Sequence, residues 1–104
     1  MSLCFFIDYK RLNTETVQDA YPLLDIEEAL GHLSGHAQFF TLDFNSGYLL
    51  VAMEEEDKSK TAFVTRKGLF QFKMMLFGLT CAPATFKRLM ETVLADLQWD
   101  VCLF

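Results

Sequence analysis

Asp43 stands in Phe39-Phe40-Thr41-Leu42-Asp43-Phe44, a run otherwise built of apolar and β-branched residues. An ionised carboxylate in such a strand is costly unless a cation or several donors meet it. Two chemistries suit it. The first is structural: an Asp that closes a strand and accepts hydrogen bonds from the amides of Asn45-Ser46-Gly47 as a turn cap. The second is metal ligation, because a hard divalent ion such as Mg²⁺ takes oxygen ligands and commonly uses one or two carboxylates with phosphate oxygens and water. Spacing alone leaves both open.

The remaining reactive side chains suggest less. Glu54-Glu55-Glu56-Asp57 precedes Lys58 and Lys60 and has the pattern of a solvated surface turn. His32 and His36 share a helical spacing, but Gly35 interrupts them and no carboxylate or thiol pattern completes a zinc set. Met74-Met75 suits a core. The sequence has no P-loop, no dinucleotide glycine fingerprint, no His-Glu-x-x-His and no Gly-x-Ser-x-Gly, so the common phosphate-loop, zinc and serine hydrolase chemistries lack support.

The elements that must position Asp43 follow from periodicity. Cys4-Phe5-Phe6-Ile7 is predicted as a strand, and the polar segment Lys10 to Ala20 as a loop. A helix is predicted after Asp25, which can cap it with Glu28 three residues on, with an apolar stripe of Ile26, Ala29, Leu30 and Leu33 and a stop at Gly35. Gln38 to Phe44 and Tyr48 to Met53 are predicted as strands flanking the turn Asn45-Ser46-Gly47. Glu54 to Lys60 is a charged connection. Thr61 to Thr65 and Leu69 to Lys73 form a predicted hairpin around Arg66-Lys67-Gly68, with Lys67-Gly68 as its turn. Pro83 opens a helix whose Phe86, Leu89, Met90, Val93, Leu94 and Leu97 lie on one face. Trp99 to Phe104 is an apolar run that stops in mid-strand. No repeat or linker divides the chain.

With 104 residues, 52% of them hydrophobic, the chain has the composition of one globular domain, which should bury roughly 60 to 70% of its extended surface around a small core. Eleven Phe supply much of that core. The longest apolar run, Tyr48 to Met53, is far short of the roughly 18 residues a bilayer span needs, and Asp8 cuts the N-terminal apolar stretch short, so neither a membrane anchor nor a secretory signal is expected. Cys4, Cys81 and Cys102 are odd in number and read as reduced thiols serving as small core residues. The expected location is therefore intracellular, in the cytoplasm. Fourteen acids against nine bases give a net charge of −5, opposite in sign to a freestanding nucleic-acid binder.

Several segments, in order, resemble the reverse transcriptase domain of long-terminal-repeat retrotransposons of the Gypsy (Ty3-like) type, and of retroviruses more distantly. Ile7-Asp8-Tyr9-Lys10-Arg11-Leu12-Asn13 is similar to the fingers motif, and Ala20-Tyr21-Pro22-Leu23 to the link after it. Leu42-Asp43-Phe44-Asn45-Ser46-Gly47-Tyr48 is similar to the first catalytic motif. Lys60-Thr61-Ala62-Phe63, then Phe77-Gly78-Leu79-Thr80 with Ala82-Pro83-Ala84-Thr85-Phe86, complete the series, which spans essentially the whole chain.

The resemblance implies an α+β fold that is part of a right-hand polymerase, with antiparallel strands and helices: fingers at about 1–17 and 51–81, palm at about 18–50 and 82–104. It implies an RNA-directed DNA polymerase that uses two Mg²⁺ ions, an RNA or DNA template-primer and a deoxynucleoside triphosphate. By resemblance Asp43 is the first of three catalytic aspartates, and the Phe44 carbonyl is a further metal ligand. The amides of Ser46 and Gly47 face the triphosphate, Tyr48 is the aromatic gate against a ribose 2′ hydroxyl, and Phe77 and Gly78 form the nucleotide wall and template contact. The other two aspartates belong to a Tyr-x-Asp-Asp hairpin that directly follows a strand similar to Val101 to Phe104, so the expectation is a domain truncated before that hairpin, a poorly held metal pair and no activity alone. Cys4 stands where relatives carry an Arg, Leu50 where many carry Gln, Leu76 for a usual Pro and Cys81 for a usual Asn. A thiol cannot supply the bidentate phosphate contact of that Arg. The alternative from another class is a non-catalytic nucleic-acid or protein interaction module derived from a retroelement.

Overall fold

A computed structural model describes Leu3 and residues 5–104. Its elements in order are α1 (Lys10–Glu15), α2 (Ile26–Leu33), a 3₁₀ turn (Gly47–Leu50), α3 (Glu55–Lys58) running into a second 3₁₀ turn (Ser59–Thr61), β1 (Phe63–Thr65), β2 (Gly68–Phe70) and α4 (Ala82–Val93). The architecture is α+β, with one two-stranded antiparallel sheet.

Local chemistry explains the elements that match expectation. The Asp25 carboxylate accepts from the amides of Glu27 and Glu28, at 2.9 and 3.1 Å, and so caps α2. Pro83 sits in the first turn of α4, where its missing N–H costs nothing. Val64 lies opposite Leu69 and Thr65 opposite Gly68, which makes Arg66-Lys67 the two-residue loop of the hairpin and moves the turn one residue ahead of Lys67-Gly68.

Other expectations are corrected. Lys10–Glu15, predicted as loop, is helical: the Thr14 and Thr16 hydroxyls donate to the carbonyls four residues back, and α1 rests on long-range partners instead of an apolar face. Glu55–Lys58 is likewise a helical turn. Phe5 to Ile7 is irregular, and Cys4 lies outside the described residues. Gln38 to Phe44 forms no strand, and Tyr48 begins no strand either but lies in a 3₁₀ turn. A strand must pair its N–H and C=O groups, and among the described residues nothing lies alongside 38–44 to do so. The run from Trp99 closes a tight turn, with the Trp99 amide donating to the Cys102 carbonyl at 3.0 Å.

Burial is also less than composition implies. The exposed area is 8891 Å², about half of what an extended chain of this length presents. The radius of gyration is 17.1 Å, against about 13 Å for a compact chain of this length. Among the described residues Tyr9, Ala29, Met75, Leu76, Ala82, Ala84 and Met90 are the buried apolar ones. In place of one core, the phenylalanines form local clusters: the Phe63 ring lies 5.5 Å from Phe5, 5.5 Å from Phe72 and 5.9 Å from Phe70. Of the stripe on α2 only Ala29 is buried, and Ile26, Leu30 and Leu33 are exposed. Cys81 and Cys102 are free thiols, half-buried and outside the core.

Candidate functional site

One short rung of backbone brings two distant segments together. The Met53 amide donates to the Lys73 carbonyl at 2.9 Å, and the Met75 amide donates to the Val51 carbonyl at 2.7 Å, on either side of an antiparallel bridge between Ala52 and Met74. Just beyond that rung, the rings of Tyr48 and Phe77 meet with centroids 4.8 Å apart. From α4, Phe86 presents itself edge-on to Tyr48 at 5.6 Å and to Phe44 at 6.0 Å. Such edge-to-face pairs contribute about 0.5–1.5 kcal/mol each beyond their burial. Phe44, Tyr48, Phe77 and Phe86 therefore form one aromatic cluster.

Gly47 is the tight point of this cluster. A Cβ there would lie 3.2 Å from Phe44 Cβ and 3.2 Å from Phe86 Cζ, so the backbone passes close to the rings only because no side chain intervenes. Ser46, just before it, takes a left-handed conformation with φ of 53°, which turns the chain into the 3₁₀ turn. Phe86, read from periodicity as one member of a buried helix face, is the hub of the cluster. Its spacing alone gave no sign of that role.

Asp43 lies one residue before the cluster and is exposed. Among the described residues its carboxylate makes no hydrogen bond or ion pair, so the turn-cap arrangement with Asn45-Ser46-Gly47 does not form. The desolvation cost expected for a buried carboxylate does not arise either. Gly78, with φ of 92°, turns the chain after Phe77. Its carbonyl accepts from Asn13 Nδ2 at 2.6 Å, and it borders an open cleft of about 600 Å³ shared with Ile7, Asp8, Tyr9 and Lys10.

Below the cluster, a second cleft of about 300 Å³ is bordered by Leu24, Tyr48, Phe86, Lys87, Met90 and Phe104. Lys87 is buried; its ammonium donates to the Phe104 carbonyl at 2.7 Å, lies over the Phe104 ring and sits 3.6 Å from Glu91. On the outer side of α4, the Arg88 guanidinium grips Asp19 with both nitrogens, at 2.6 and 2.9 Å, and stacks on the Tyr21 ring, whose hydroxyl donates to Glu91. The hydrogen bonds from Arg88, helped by its charge, hold the Asp19 carboxyl below the usual carboxylate range, and the hydrogen bond from the Tyr21 hydroxyl does the same for Glu91. This clasp fastens the link before α2 onto α4.

The reverse transcriptase (RNA-dependent DNA polymerase) family matches the chain over residues 1–104. The chain belongs to the reverse transcriptase family. As a reverse transcriptase segment it is similar to Pol polyproteins of mobile elements. It is 43% identical over 96 residues, 92% of this chain and 10% of the relative, to the retrovirus-related Pol polyprotein from transposon opus of Drosophila melanogaster. It is 38% identical over 97 residues to the corresponding polyprotein from transposon gypsy of the same organism, covering 92% of this chain and 9% of that relative. An RNA-directed DNA polymerase homolog from Oenothera berteroana is 42% identical over 96 residues, 92% of this chain and 68% of its own length. The chain thus spans about a tenth of the length of the Pol polyproteins it matches. No helix among the described residues is long and apolar enough to cross a membrane.

Proposed function

We propose that this chain is the part of a retrotransposon reverse transcriptase that carries its first metal-binding aspartate and its nucleotide-facing wall, in template-directed synthesis of DNA on RNA or DNA. The observation that carries this reading is the meeting of separate motifs: Phe44, Gly47 and Tyr48 join Phe77 and Phe86 in one cluster, one residue from Asp43. In this reading Asp43 and the Phe44 carbonyl face a metal, and the amides of Ser46 and Gly47 face a triphosphate. Tyr48 rejects the ribose 2′ hydroxyl, while Phe77 and Gly78 border nucleotide and template. Residues 1–17 and 51–81 belong to the fingers and residues 18–50 and 82–104 to the palm.

A pair of Mg²⁺ ions, when bound, supplies charge stabilisation to the attacking and leaving oxygens of phosphoryl transfer. The described residues do not fit such a pair. No three His, Cys, Asp or Glu side chains group together among them, and doubly charged ions about 3.5–4 Å apart need several shared anions to offset their repulsion. Asp43 alone cannot provide them, so the 104-residue chain by itself extends no primer. A primer-extension assay with Mg²⁺ or Mn²⁺ is expected to give no product, and product that vanishes in Asp43→Asn would overturn this statement. The net charge of −5 argues against a freestanding nucleic-acid module; filter binding that is tight at low salt and weakens steeply as salt rises would restore that reading.

A further inference from the structure

Asn13 belongs to the N-terminal motif, yet its side chain is spent on a loop more than sixty residues away. Its Nδ2 donates to the Gly78 carbonyl at 2.6 Å, and its Oδ1 accepts from the Thr80 amide at 2.9 Å. The primary amide presents its donor and its acceptor on two separate atoms of one short planar group; a carboxylate of the same shape would face the Gly78 carbonyl with a lone pair, and an aliphatic chain would satisfy neither group. The loop needs such support, since it leaves Phe77 through a glycine at φ of 92° and continues to Thr80 outside any helix or strand.

The other end of Asn13 is anchored. Its backbone amide donates to the Tyr9 carbonyl at 2.8 Å, and the buried Tyr9 donates its hydroxyl to the Thr61 carbonyl at 3.0 Å. Thr61 is itself fully buried, and its hydroxyl donates to Lys58 and accepts from the Phe72 amide. A continuous strut therefore runs from the base of the hairpin through α1 to the loop after Phe77.

We propose that Asn13 is a positioning residue for the Phe77-Gly78 wall. It fixes the backbone of 77–80 and thereby sets where the Phe77 ring stands against Tyr48, without touching the nucleotide itself. The kinetic consequence rests on the reverse transcriptase reading of that wall; the structural one does not.

Two measurements separate them. In the chain itself, Asn13→Ala is expected to speed hydrogen exchange of the Thr80 amide at least about tenfold while the amides of α4 keep their rates; unchanged Thr80 exchange overturns the proposal. In a polymerase where this chain replaces the matching segment of the transposon opus polyprotein, Asn13→Ala is expected to raise KM for deoxynucleoside triphosphate about tenfold and to hold kcat within about twofold. Asn13→Asp, equal in shape but unable to donate, should match Asn13→Ala; recovery of native KM by Asp would show that Asn13 only fills space and would overturn the positioning role. A fall in kcat at unchanged KM overturns it as well. Extension that persists in Asp43→Asn would sink the polymerase reading instead and leave the exchange result intact.

Discussion

Residues 61–90 and residues 30–46 both carry runs of apolar side chains, and they fare differently. The first stretch holds Thr61, Met75, Leu76, Ala82, Ala84, Lys87 and Met90, all buried, while every residue from Leu30 to Ser46 is exposed. Apolar content therefore does not distinguish them. What does is a partner within reach. The hairpin pairs its backbone although its side chains stay largely exposed, the 73–75 segment bridges to 51–53, and α4 meets the 3₁₀ turn, so each element of the first stretch finds a partner for its backbone or for one of its faces. Among the described residues, 38–44 have no neighbouring strand, and an unpaired strand gains neither ladder hydrogen bonds nor a covered face.

Substitutions can break this contrast. The largest effect is expected from Met75→Ala, which empties a buried site and should cost about 2–4 kcal/mol in urea unfolding, whereas Phe40→Ala, at 90% exposure, should stay within about 0.5 kcal/mol. Equal effects would show that the 38–44 run is covered in solution. Gly47→Ala comes next. Its methyl would press on Phe44 and Phe86 at 3.2 Å, and a loss of about 1 kcal/mol is expected, with a change in Tyr48 fluorescence as its ring is displaced. Tyr9→Phe removes the hydroxyl held by Thr61 and should cost about 1 kcal/mol or slightly less, again by urea unfolding.

The smallest effect sharpens the comparison through pH. Asp19 and Glu91 have folded pKa values below their ordinary ones, held down by Arg88 and by the Tyr21 hydroxyl respectively. The unfolded chain therefore binds more protons in the acid range. Their stabilisation is present above the ordinary carboxylate pKa and is lost as pH falls through the lowered values. Both groups lie at the surface, so solvent screens the effect. Melting temperature should decline on acidification below about pH 4, near the ordinary carboxylate pKa, and Asp19→Asn should flatten that decline. A slope unchanged by the substitution would show that the clasp does not fasten the link onto α4.

The same contrast explains what was legible in the sequence. Asp25 with Glu28 and Pro83 act within a few residues, and α2 and α4 begin where those signals put them; the face expected from Phe86 to Leu97 is cut short, since α4 ends at Val93 and Leu89, Val93 and Leu97 are exposed. The hairpin was legible because its turn is local, and its register slipped by one residue because Gly68 suits either side of the loop. Lys10–Glu15 was missed because its support comes from Gly78, Thr80 and Thr61, at separations that periodicity does not sample. The site divides likewise. Asp43, Gly47 and Tyr48 could be singled out from their own motif, but the position of Phe86 as the hub depends on how α4 packs against the 3₁₀ turn.

The rung at Ala52 and Met74 closes the wall upstream of everything between residues 54 and 72. That interval, with α3 and the hairpin, leaves the rung and is tied back to the N-terminal segment at Thr61, through Tyr9, and at Phe63, through Phe5. Its length can change at small entropic cost, because closing a longer flexible loop adds only about 0.6 kcal/mol per doubling. Changes in length are therefore best tolerated at the outer turn of the hairpin, whereas Thr61 at its base, held by Tyr9 and Phe72, must keep its place for the strut to the Phe77 loop to stay in register.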